Sequence, residues 1–132
     1  MSVLVAAAVL VSAFVHGALY FVGMSQTPVI GPLFLLNAAG GLVIALAVLF
    51  WRHWLPLVAA LGFGVLTLAA FWLSVTVGMF GFHEYAVGVA QIAAEVAEIV
   101  AIVGSAVLLV KMARGCASGG ARERRPARRA SA

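Results

Sequence analysis

The chain is built from long apolar runs separated by short breaks rich in glycine, proline and aromatic residues. Four runs stand out, at about 3–22, 32–50, 55–79 and 85–110. A bilayer-spanning helix needs roughly 20 mainly apolar residues, so each run is long enough to cross once. The break "GMSQTPVIGP" at 23–32 holds two prolines and two glycines and reads as a loop with re-entry near Pro32. "WRHWLP" at 51–56 reads as a tight hairpin whose Trp51 and Trp54 suit the headgroup layer. "GMFGFHE" at 78–84 closes the third run at Gly78 and Gly81 and opens the fourth. Short connections favour antiparallel neighbours, so the pattern predicts an all-α, up-and-down bundle of four transmembrane helices.

Composition agrees with this reading. The 132 residues are 65% hydrophobic and only 9% charged, against about 25% charged in soluble domains. The chain divides into a four-helix transmembrane domain at 1–111 and an Arg-rich tail at 112–132. That tail has too little apolar surface to bury and is expected to be disordered. Its arginines suit acidic lipid headgroups, whereas nucleic-acid binding is not expected without a folded platform or interleaved aromatic residues. Cys116 is the only cysteine, which excludes a disulfide within the chain.

Charge sets the expected orientation. With four spans, the N-terminus, the 51–56 hairpin and the tail share one side. All eight Lys and Arg residues lie there: Arg52, Lys111, Arg114, Arg122, Arg124, Arg125, Arg128 and Arg129. The positive-inside rule then makes both termini cytoplasmic. Seven Arg against one Lys, with heavy use of Ala, Gly and Val, resembles GC-rich coding and suggests a multi-pass protein of a bacterial inner membrane.

Candidate chemistry concentrates in the fourth run, "HEYAVGVAQIAAEVAEIV" at 83–100. At about 100° per residue, Glu84, Gln91, Glu95, Glu98 and Ser105 share one face. Ala90, Ala94, Ala97, Ala101 and Gly104 form a stripe of small residues beside it, suited to close helix packing. Val89, Ile92, Val96, Val100, Val103 and Val107 take the opposite, lipid-facing side. A carboxylate at the centre of a span costs about 2.5 to 3.5 kcal/mol to insert, so Glu95 and Glu98 require partners or trapped water.

Rise per residue ranks the other polar groups by depth. His16, Asn37, Ser74 and Gln91 lie roughly 8 to 10 Å in from the outer ends of their helices, and Ser12, His16 and Tyr20 form a polar stripe of their own at spacings of four. The expected arrangement is a polar pocket entered from the outer side, with carboxylates at its floor. Glu95, Glu98, Gln91, His16 and Asn37 are the candidate residues for binding a proton, a cation or a small polar ligand. His83 and Glu84 begin like the HExxH zinc signature, but Val87 stands where the second histidine belongs. The chain also lacks a Walker loop, a dinucleotide fingerprint, a nucleophile elbow and a CxxC pair. No metal, cofactor or catalytic residue is therefore expected.

The stretches "GPLFLLNAAGGLVIALAVLF" and "TVGMFGFHE", followed by a fourth helix with internal glutamates, resemble small four-span integral membrane proteins of actinobacteria. That family has no assigned function, and the resemblance implies the four-span fold while transferring no functional residue. Two functional expectations follow from the residues themselves. One is a non-enzymatic, transport-like protein using the polar face of the fourth helix. The other is a structural or accessory subunit whose fourth helix packs against a membrane partner or a second copy of the chain.

Overall fold

A computed structural model describes residues 1–84 and 88–123, with 116 and 118–123 described by their backbone alone. It contains α1 (Ser2–Val22), α2 (Ile30–Phe50), α3 (Trp54–Thr76) and α4 (Val89–Glu123), with a 3-10 turn at Met24–Gln26 after α1. All four helices are long and apolar enough to cross a membrane, α4 over Val89–Gly115. The helical state is enforced by the solvent: hydrocarbon offers no partner for backbone N–H and C=O groups, and a helix pairs them internally.

Helix ends follow local chemistry. α2 begins at Ile30, ahead of the expected 32, because Pro32 falls in the first turn, where its missing N–H leaves no hydrogen bond unmade. His53 caps α3, its Nδ1 accepting from the Leu55 N–H at 3.2 Å, and its ring stacks on Trp51 at 5.5 Å. α3 stops at Thr76, short of the expected 79. Gly78 follows with φ of +83°, and Met79 and Phe82 then exchange backbone hydrogen bonds of 2.8 and 2.9 Å around Phe80 and Gly81. Positive φ at both central residues makes this a tight hairpin turn, a geometry that favours glycine at Gly81.

α4 departs most from expectation. It continues past Lys111 to Glu123, through residues assigned above to an unstructured tail. Lys, Met, Ala and Arg at 111–114 are strong helix formers and carry the helix beyond the apolar segment. The expected start of the span at 85 lies outside the described residues, as do the arginines at 124, 125, 128 and 129.

The helices pack in cyclic order, α1 against α2 and α4, and α3 against α4, with a thinner contact between α2 and α3. At the end that holds the N-terminus, the interior is packed mainly from small side chains: Val5, Ala6, Ala8 and Val9 from α1, Ala45 and Val48 from α2, Leu57 and Ala60 from α3, and Ala101 from α4, with Ser105 of α4 also buried. Small residues let helix backbones approach closely, which drives association where lipid removes the hydrophobic incentive. Gly104 packs so near α1 that an added Cβ would lie 2.7 Å from Val5 Cγ2. Large apolar side chains point outward instead, among them Phe14, Phe21, Phe50, Leu66 and Val89. At the opposite end α2 and α3 separate and the interior opens.

Candidate functional site

Glu98 lies where three helices converge. It is 2% exposed, and its Oε1 accepts a hydrogen bond from the Ser12 hydroxyl of α1 at 2.9 Å. From the third side Gly64 brings α3 onto α4: a Cβ there would stand 3.0 Å from the Glu98 carbonyl oxygen and 2.8 Å from Ile102. The missing side chain of Gly64 thus helps to seal the acidic residue inside the bundle.

One turn above Ser12, the His16 Nδ1 sits 2.8 Å from the Ser12 carbonyl oxygen. A carbonyl only accepts, so Nδ1 carries the proton of this bond and Nε2 is the nitrogen left for chemistry. The imidazole rests against Phe34 of α2, with ring centres 5.0 Å apart. On the opposite wall Gln91 donates from Nε2 to Glu84 Oε1 at 3.1 Å, tying the start of α4 to the loop that follows α3.

These groups surround two adjoining spaces. The smaller, about 30 Å³, is lined by His16, Glu84, Gln91, Glu95 and Glu98 together with apolar residues that include Ala90 and Ala94. Water needs about 10 to 15 Å³ of such volume per molecule and two to four polar partners, so the space suits one or two waters beside the carboxylates. The larger, about 410 Å³, lies between α2 and α3 and reaches His16, Asn37, Thr67, Ser74 and Glu84. His16, Phe34, Phe71 and Glu84 border both spaces.

The structure therefore divides the expected polar level between two spaces. His16, Asn37 and Ser74 line the large one, whereas Gln91 joins Glu95 and Glu98 at the small one. Asn37 is engaged by Thr67, whose hydroxyl lies 3.5 Å from Asn37 Oδ1 and also donates to the Phe63 carbonyl at 2.8 Å. Of the small-residue stripe, Ala94, Ala97 and Ala101 are buried and Gly104 meets α1, while Ala90 is half-buried at the small cavity. The residues facing outward from α4 are Val89, Ile92, Val96, Ile99 and Val103. Val100 and Val107, expected to face lipid, are only partly exposed. The pairing of Ser12 with Glu98 is not among the sequence expectations; the position of Ser12 four residues before His16 on one helical face is the available signal. Thr67 and the phenylalanines of the larger space are also absent from them, because in a linear chain they are indistinguishable from ordinary span residues.

Four apolar helices enclose a buried acid. This is the build of a multi-pass membrane protein. No protein-family model, curated protein or solved structure matches the chain, so function must be read from the geometry of the site. Among the described residues, no group of three His, Cys, Asp or Glu is placed to hold a metal ion.

Proposed function

We propose that this protein is a non-enzymatic, transport-like membrane protein in which the interior face of α4 exchanges a proton or binds a small cation or polar ligand. The observation that carries the reading is Glu98, an acid buried to 2% exposure yet held by Ser12 at 2.9 Å beside a water-sized cavity. Burying a carboxyl group in a span is costly, and packing alone gives no reason to keep it where Gln or Ser would serve. Glu95 at the same cavity offers a second proton acceptor one turn away. His16 Nε2, Gln91 and Glu84 offer relay positions toward the outer end.

The route in this proposal is one-sided. Between Glu98 and the N-terminal end lies a close-packed, mainly apolar interior in which Ser105 is buried, so passage to that side requires the helices to move. By the positive-inside rule, that end, with Arg52 and Lys111, faces the cytoplasm of a bacterial cell. The stripe from Ala94 to Gly104 is already engaged inside the bundle, which favours an internal site over a helix α4 surface reserved for a partner subunit.

Proteoliposomes carrying a pH gradient test the reading. The wild-type chain is expected to dissipate the gradient, and Glu95→Gln combined with Glu98→Gln to reduce the rate at least tenfold while leaving the helical circular dichroism unchanged. Equal rates for the two proteins would refute proton exchange at these residues.

A further inference from the structure

The larger chamber has features that the proton reading does not use. Its walls carry four phenylalanines, Phe34, Phe63, Phe71 and Phe82. Its mouth is rimmed by Leu33, Leu36 and Leu66, which are 40%, 67% and 72% exposed, on the side where α2 and α3 separate. In a bilayer that mouth opens sideways into lipid. At the inner corner the Glu84 N–H donates to the Ser74 carbonyl at 3.4 Å, and both residues line the chamber. Ser74 is only 5% exposed, and its Oγ, like that of Ser105, has no hydrogen-bond partner among the described residues. A buried hydroxyl without a partner costs free energy unless something binds it.

We infer that this chamber is a binding site for a lipophilic organic monocation that enters from the membrane between α2 and α3, its charged head lodged at the Ser74 and Glu84 corner. Three features define the ligand. Entry through a leucine-rimmed mouth selects molecules that partition into hydrocarbon. A volume of about 410 Å³ lies in the range of sites for drug-sized molecules. Aromatic faces attract cations through the ring quadrupole, and the attraction strengthens away from water.

Charge points the same way. Among the described residues, the ionisable groups lining the chamber and its annexe are Glu84, Glu95, Glu98 and His16, while Arg52, Lys111 and Arg114 belong to the other end of the bundle. His16 already donates from Nδ1 to the backbone, so its Nε2 can serve as an acceptor facing a positive head. Glu84 is the carboxylate that lines the chamber, in an otherwise mainly apolar space. An anion would meet the Glu84 carboxylate there.

Tetraphenylphosphonium and tetraphenylborate make the test direct, because they share a shape and differ in charge. Each is measured separately by equilibrium dialysis against the purified full chain in zwitterionic lipid nanodiscs, with empty nanodiscs correcting for partitioning. The phosphonium is expected to bind saturably, one per chain and at least tenfold more tightly than the borate. Glu84→Gln should weaken it about tenfold, and Phe71→Leu two- to fivefold, on the scale of one cation–π contact. Leu66→Trp, which narrows the mouth, should also reduce binding. Equal retention of the two ions, or unchanged phosphonium binding in Glu84→Gln, would overturn the proposal and leave a groove for lipid chains. Should Glu84→Gln not fold, the comparison of the two ions on the wild-type chain still decides. The assay reads binding rather than flux, so this inference and the proton reading can fail independently.

Discussion

At Glu98 a carboxyl group and a serine hydroxyl meet 2.9 Å apart in the interior of a membrane protein. The bond matters more for what its loss would expose than for its own strength. Removing the donor leaves a buried acceptor unsatisfied, which costs about 1 to 3 kcal/mol. Ser12→Ala should therefore lower stability by about that amount, measured as the midpoint of unfolding in mixed micelles. Glu98→Gln keeps an acceptor oxygen for Ser12 and a similar volume, so it should unfold close to the wild type. Unchanged stability in Ser12→Ala would mean that Glu98 finds other partners. The two substitutions separate the structural part of Glu98, which Gln can fill, from the proposed protonic part, which it cannot.

Among the helices, glycine position decides how closely two backbones approach. α3 carries a matched pair: Gly64 faces α4, where an added Cβ would meet Ile102 at 2.8 Å, while Gly62 has nothing within 4 Å. Gly64→Ala should destabilise by about 1 to 3 kcal/mol, the usual cost of overpacking. Gly62→Ala should be neutral or stabilising by up to about 1 kcal/mol through helix propensity. Thermal melts of both variants in one detergent check the contrast, and equal effects would show that α3 does not lie on α4 through Gly64.

The four spans and the polar face of α4 are legible in the amino-acid sequence, because lipid imposes simple rules on length and on where acids can lie. Helix ends are less so: Pro32 lets α2 open early, and the turn through Gly78 and Gly81 cuts α3 short. The helical continuation of α4 beyond Lys111 is hidden because the polar composition there also suits an unstructured tail. The partition of the interior into two spaces is not legible at all. It depends on how far α2 stands from α3, a distance set by tertiary packing and not by any one helix's periodicity.

For the whole molecule, the organising feature is a contrast between its two ends. The N-terminal end is closed by Val5, Val9, Ala45, Ala60 and Ala101, with Ser105 the buried polar side chain among the described residues there. The other end is hollow, with acids, a histidine and phenylalanines around a lipid-facing mouth. In the reading proposed above, such a division would confine ligand access to one half of the bilayer and make the closed end the barrier to passage. It also requires α4 to present opposite faces to opposite environments, with its carboxyl groups inward and its branched aliphatic residues toward lipid. Nitroxide scanning of α4 over residues 89–107 in lipid vesicles, read as oxygen accessibility, tests this arrangement most directly. Maxima are expected at positions 89, 92, 96, 99 and 103 and minima at 94, 98, 101 and 105; maxima in phase with position 98 would contradict the inward placement of the acids.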